Sequence, residues 1–287
     1  MAKRDHIVVG LDIGTTKICA IVAKINEDGS PEVIGMGISP SRGLRKGVVN
    51  NIESTVESVK KAIEDAELMA AVQIRSVYTG IAGSHISATP SRAMVTLRRK
   101  EVTQADVDRA IEAAVSLATP PAERKILHVL PREFKVDDQD GIRDPLGMSG
   151  TRLEVEVHII TGAVTSAENL MKSVHRAGLD VVEVVLQPLA SSEAVLTPEE
   201  RELGVAMVDI GGGTTDLAIF SEGGIRHTAV LPIGGQNLTT DIAFGLRTPP
   251  AEAEKIKIHH GSARVELVND EDIVEVPSVG ERPARTC

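Results

Sequence analysis

Residues 204–220 read GVAMVDIGGGTTDLAIF: an apolar run, a carboxylate, three glycines, two threonines, a second carboxylate and a second apolar run. Val205 to Val208 have the unbroken apolar character of a buried strand, and Leu217 to Phe220 resume it after the turn with no helical period between. The stretch therefore predicts strand, tight turn, strand, with the loop at a hairpin tip. Glycine tolerates positive φ and lets backbone come close to a ligand. Gly211, Gly212 and Gly213 can thus present N–H groups as a concave anion cradle, with the Thr214 and Thr215 hydroxyls as further donors. A phosphate is the natural guest of such a loop.

The design recurs near the N-terminus. Ile7 to Leu11 are apolar, Asp12-Ile13-Gly14-Thr15-Thr16-Lys17 follow, and Ile18 to Ile25 are again strand-like. Asp-Ile-Gly with a following Thr-Thr occurs in both copies, and a hairpin flanks each. A P-loop or a dinucleotide fingerprint would instead open a helix after its glycines, and neither GxxxxGK[ST] nor GxGxxG followed by a helix is present. The simplest physical reading is two similar lobes, each lending one phosphate loop to a single polyphosphate.

The 287 residues suffice for about two domains. With one Tyr, three Phe and no Trp, the cores must be Val, Ile, Leu and Ala, which suits α/β packing and argues against a base-stacking platform for single-stranded nucleic acid. A net charge of −10 disfavours phosphate-backbone binding and gives no overall attraction to an anionic membrane, so nucleic acid is not an expected partner. Cys19 and Cys287 offer no disulfide framework, which fits a reducing cytosol. No apolar stretch approaches the ~20 residues that span a bilayer, and the chain itself reads as soluble.

Along the chain, Glu32 to Ile38 extends the first sheet. Asn51 caps a helix with Ile52, Val56, Val59, Ile63 and Ala66 on one face, and Val77 to Ile81 returns as a strand. From about Ser84 to Ile160 the pattern changes to short strands around one helix, which the capping-box-like Thr103 opens. Ile126 to Val136 and Leu153 to Ile160 are its strands, and Asp137 to Gly150 a polar loop. Ser166 is expected to cap the next helix and Gly178 to stop it; Val181 to Leu186 is a strand, and Gln187 to Ser192 lead from its end into another helix. After the opening hairpin come a strand from Ile225, helices from Asn237 and Pro249, and strands over Arg264 to Leu267 and Asp272 to Val276. The expected domains are 1–83 plus 161–200, an inserted 84–160, and 201–287.

These elements in this order resemble the actin-like ATPase superfamily. Asp12 to Lys17 resembles its first phosphate motif, Gln187 to Ser192 its first connecting motif, and Asp209 to Asp216 its second phosphate motif. Within it, GLRKGVV from Gly43, GIAGSHI from Gly80 and PIGGQNLTTDIA from Pro232 are similar to the FtsA family. The resemblance implies an α/β, actin-like (ribonuclease H-like) two-lobed fold with an inserted small α+β domain and an incomplete second lobe. It also implies the cofactors ATP and Mg2+. Gly14, Thr15, Thr16, Gly212, Gly213, Thr214 and Thr215 would hold the β- and γ-phosphates. Asp12 and Asp209 would sit near magnesium through its water shell, Gln187 would position the attacking water, and Glu254 and Lys257 would meet the ribose.

The function so implied is a cell division adaptor, at most a weak ATPase. It would help assemble the FtsZ ring, link it to the cytoplasmic face of the membrane and recruit later divisome proteins. Self-association into protofilaments and membrane contact through a C-terminal helix would follow in a longer chain, since the sequence looks C-terminally truncated against that family. A pilus-assembly actin-like ATPase and a small-molecule kinase of the same superfamily are the alternatives. Some residues keep two readings: Lys17 is equally a phosphate contact or an exposed strand-edge lysine, and Glu254 with Lys257 equally an ordinary solvated pair. Asp216 reads as structural, bracing its loop, Cys19 as a small buried hydrophobe, and His259-His260 as no metal site.

Overall fold

The computed structural model describes residues 6–269, 273–277 and 285–286; Asp272, at the start of the last expected strand, and Cys287 lie outside them. The chain divides into two compact units, Met1–Pro232 and Ile233–Cys287.

In the first unit β1 (His6–Ile13), β2 (Lys17–Ile25) and β3 (Pro31–Pro40) make an antiparallel meander. A small hairpin of β4 (Leu44–Arg45) and β5 (Val48–Val49) follows. Next comes α1 (Ile52–Ala70), whose cap is Asn51: its Oδ1 accepts the Ser54 N–H at 3.0 Å. β6 (Ser76–Ile81) then pairs parallel to β1. Strand alternation sends Val9, Leu11, Ile13, Ile18, Ala20 and Val22 to one buried face, where Val59, Ala62, Ile63 and Ala66 of α1 close the core. The other face carries Gly10, Asp12, Cys19 and Ile21. Backbone contact sets how closely α1 lies on β3: a Cβ at Gly37 would stand 1.9 Å from the Ala62 carbonyl oxygen, and one at Gly35 2.6 Å from the Ala70 Cβ.

The insertion comprises β7 (Ser87–Thr96), α2 (Gln104–Leu117), β8 (Arg124–Val136), β9 (Gln139–Ile142) and β10 (Arg152–Ala163), with strand order β7-β10-β8-β9. Thr103 and Asp106 form the capping box of α2, whose Val107, Ala110 and Ala114 join a core with Val155 and Val157. Two elements differ from expectation. The sequence reading names no strand over 87–96; β7 forms there and carries Pro90, a residue that sheets accept on an edge strand such as this one. The loop after Asp137 contains β9. At the root of the insertion Arg124 donates to the His85 carbonyl, to the Thr161 carbonyl and to the Thr161 hydroxyl, each at 2.9 Å, so one guanidinium ties the entering chain to the leaving one.

β10 runs straight into α3 (Val164–Arg176) with Ala163 at the cap. Ser166 is therefore inside the helix, a correction to its expected role, while Gly178 does stop it with φ 93°. β11 (Asp180–Leu186) pairs parallel to β6 and completes a five-stranded sheet of order β11-β6-β1-β2-β3. α4 (Gln187–Val195) starts directly after the strand's last residue, and α5 (Pro198–Leu203) leads to β12 (Val205–Ile210), β13 (Thr215–Ser221) and β14 (Gly224–Leu231), a three-stranded antiparallel sheet. β12 is its edge and is buried on one side only: Val208 and Ile210 are exposed, unlike the doubly buried strand expected. Met207, Ala218, Phe220 and Ile225 form this sheet's core with Leu130 of the insertion, and His158 Nε2 lies 3.1 Å from Thr228 Oγ1 across the same interface.

The second unit holds α6 (Gly235–Leu246), α7 (Pro250–His260), a 3-10 turn at Val265–Leu267, and a short pair, β15 (Glu275–Val276) with β16 (Arg285–Thr286). The turn replaces the strand expected over Arg264 to Leu267.

Replacing Gly37 by Ala forces its new methyl into the α1 backbone. The expected cost is ~2 kcal/mol, the usual range for overpacking, read as a lowered urea midpoint at unchanged slope.

Candidate functional site

The two hairpin tips are built alike. Gly14 N–H donates to the Lys17 carbonyl at 3.0 Å, and Gly211 N–H to the Thr214 carbonyl at 2.9 Å. Below the tips Asp12 pairs with Cys19 and Asp209 with Asp216. Lys17 is thus the counterpart of Thr214, Cys19 of Asp216, and Thr15-Thr16 of Gly212-Gly213. The two Thr-Thr pairs, which look equivalent in the sequence, are not: two extra glycines push the second pair along, and Thr215 is already a strand residue.

The tips meet reciprocally. A Cβ on Gly212 would stand 2.2 Å from Thr16 Cγ2, and one on Gly213 2.7 Å from Thr15 Oγ1. Given the pairing of counterparts, these are the same contact made twice about a local twofold. It also corrects the reason for the glycines. None of Gly14, Gly211, Gly212 or Gly213 adopts positive φ; Gly212 and Gly213 are required because the facing threonines leave no room for a side chain.

Beneath the tips lies a cavity of about 570 Å³, within the size range of small-ligand sites. Among the expected residues Asp12, Gly14, Thr15, Thr16, Lys17, Gln187, Asp209, Gly211, Gly212 and Thr214 line it, whereas Gly213 and Thr215 stand outside its wall. Among the described residues the N–H groups of Thr15, Thr16, Gly212 and Gly213 have no acceptor and remain available to an anion. Gln187, first residue of α4, donates from Nε2 to Asp12 Oδ1 at 2.5 Å, and Ser191, one helical turn on, donates from Oγ to Asp209 Oδ2 at 2.9 Å. The β11–α4 junction therefore holds both tip carboxylates.

Sequence reasoning missed Ser191, Gly80 and Tyr78 as wall residues. Gly80 had a signal, since glycine inside a strand marks close approach: a Cβ there would lie 2.8 Å from Gln187 Cγ. Cys19 is half-buried and faces the cavity, not a core residue as expected. Glu254 and Lys257 fall in the second unit, on α7. They form a 2.7 Å ion pair, with Lys257 Nζ also on the Gly235 carbonyl at 3.1 Å and Thr239 Oγ1 bonded to Glu254. The bonds from Lys257 and Thr239 lower the Glu254 carboxyl.

The cavity is electrostatically costly without a guest. Burial raises the Asp12 carboxyl, with the Asp209 charge adding to the effect. Asp216 is 4% exposed; burial first and Asp209 second push it up to about 6, against a single bond from Thr214 Oγ1 at 3.1 Å. Its Oδ1 is buried with no partner. Such a donor-poor carboxylate wall beside free amides suits a polyphosphate that brings its own cation. Among the described residues no three His, Cys, Asp or Glu side chains gather closely enough to hold a metal ion by themselves.

Comparison with known proteins places this geometry. Residues 83–161 match the family described as the SHS2 domain inserted in FTSA, and residues 206–287 that described as cell division protein FtsA. The cell division protein FtsA of Pseudomonas aeruginosa is 52% identical over 283 residues, spanning 99% of this chain and 68% of the relative. Among solved structures, the PilM-PilN type IV pilus biogenesis complex superposes with TM-score 0.67 at 18% identity, covering 88% of this chain and 70% of the other. MreB 5 of Spiroplasma citri bound to AMPPNP superposes with TM-score 0.50 at 16% identity, covering 99% and 72%. The fold is the actin-like ATPase fold with an SHS2 insertion.

Asp216 gives this site a pH signature. Its folded pKa is raised, so between about 4 and 6 the folded chain binds more protons than the unfolded one, and its contribution to stability falls as pH rises through that window. Asp216→Asn removes the penalty. The variant is expected to be more stable than the unmodified chain at pH 7.5 by ~2 kcal/mol, with the difference vanishing near pH 4 in urea titrations.

Proposed function

Because the chain belongs to the FtsA family of cell division proteins, we propose that it is a nucleotide-binding, actin-like adaptor. In this reading it helps assemble the FtsZ ring, links that ring to the cytoplasmic face of the membrane at the division site and recruits later divisome proteins. The observation behind the nucleotide half is the reciprocal meeting of two tips over a carboxylate-walled cavity. That MreB 5, which shares the fold, was solved with AMPPNP supports ATP as the guest.

The residues then take these roles. The amides and hydroxyls of Thr15, Thr16, Gly212 and Thr214 hold the β- and γ-phosphates, with Gly213 setting the approach of the tips, and Lys17 adds charge. Asp12 and Asp209 hold the water shell of Mg2+, which gives up its water reluctantly. Gln187, uncharged and tethered to Asp12, orients a water for slow hydrolysis. Glu254 and Lys257 serve ribose hydroxyls, which a carboxylate and an ammonium in one helix turn can both bond. No helix among the described residues is long and apolar enough to cross a membrane, and the proposed membrane link is peripheral. The insertion and the second unit are the proposed contact surfaces for division partners and for self-association.

Asp209→Ala is expected to weaken Mg-ATP binding about tenfold, ~1.4 kcal/mol, and ADP binding less, by titration calorimetry. Equal losses for both nucleotides would remove Asp209 from the metal and γ-phosphate. No Mg-ATP binding by the unmodified chain would sink the nucleotide reading.

A further inference from the structure

Between β4 and β5 the chain turns at Lys46 and Gly47, with φ 53° and 75°, the left-handed pair that a two-residue type I′ hairpin demands. The Gly47 amide has no partner inside its own turn. It donates instead to Thr15 Oγ1 at 3.2 Å, and six residues earlier Ser41 N–H donates to the Thr16 carbonyl at 3.0 Å. The segment from Ser41 to Gly47 thus clasps both threonines of the first tip.

We propose that Gly47 is a positioning residue for Thr15, fixing that hydroxyl as a hydrogen-bond donor to a bound phosphate; the inference rests on the nucleotide reading and extends it to a residue outside both phosphate motifs. A threonine hydroxyl has one proton and two lone pairs. With the Gly47 amide on a lone pair, the proton is left to point elsewhere, and both Thr15 and Gly47 line the cavity. A phosphate oxygen there is the acceptor.

A plain turn glycine would not be pinned from behind as this one is. A Cβ on Gly47 would stand 2.8 Å from Gly83 Cα and 3.0 Å from the Ala82 carbonyl oxygen. Asn is among the few other residues that adopt the turn's φ, but it does not fit this contact. Gly83, at φ 130°, is also where the match to the inserted domain begins, so the placement of the Thr15 hydroxyl is referenced to the root of the insertion.

The test uses Mg-AMPPNP affinity together with hydrogen exchange of the Gly47 amide. Thr15→Val should lower affinity about three- to tenfold, the worth of one hydrogen bond, and speed Gly47 exchange; Thr15→Ser should restore both. Gly47→Ala, assayed well below its melting temperature, should show the same loss, and should add nothing in the Thr15→Val background. Unchanged affinity in folded Gly47→Ala, or a loss that adds in full to that of Thr15→Val, overturns the inference. If Gly47→Ala does not fold, the threonine pair decides, and Gly47 exchange that ignores Thr15→Val overturns it. An unmodified chain that binds no Mg-AMPPNP defeats the nucleotide reading and this inference with it.

Discussion

A backbone segment can seat directly against a facing side chain only where its own side chain is missing, and the meeting of Gly212 with the Thr16 side chain and of Gly213 with that of Thr15 is that constraint in this chain. It brings together the ends of β1 and β12, and with them Asp12 and Asp209, in one cavity. Any β-carbon at Gly212 would wedge the tips apart. The cavity so formed has an electrostatic cost: burial first, and the Asp209 charge after it, raise the carboxyls of Asp12 and Asp216. The Ser191 and Gln187 bonds offset part of the cost, and a cation with its anionic guest would offset the rest.

The insertion is more than an appendage to the first sheet. It interrupts the chain between β6 and α3, and β6 still pairs parallel with β11; Arg124 binds entering and leaving backbone together. Its Leu130 and His158 also reach the sheet that carries the second tip. Burial and the Arg132 charge hold His158 down at about 4, so the contact with Thr228 is made by a neutral imidazole at physiological pH.

Much of this was legible in the sequence. Both hairpins, the Asn51 and Thr103 caps, the Gly178 stop and the strand-to-helix junction at Gln187 follow from apolar period and turn chemistry, which are local. What was not legible is tertiary. Pro90 sits in a strand because that strand is an edge, Ser166 does not cap because α3 continues straight from β10, and the strand expected from Arg264 is a 3-10 turn. At the site, counting from Asp-Ile-Gly pointed to the right loops but made the Thr-Thr pairs equivalent, since only the ladder register shows which residue faces which. The partnership of Ser191 with Asp209, 18 residues apart, and of Gly47 with Thr15 has no periodicity to announce it.

Tyr78 is the chain's only tyrosine, there is no tryptophan, and its ring stands on the cavity wall, 38% exposed. With excitation beyond the absorption of the three phenylalanines, ultraviolet emission from this protein therefore has a single source, located where a guest would arrive. Filling and emptying of the chamber can be watched optically, with no dye attached and no background from elsewhere in the chain.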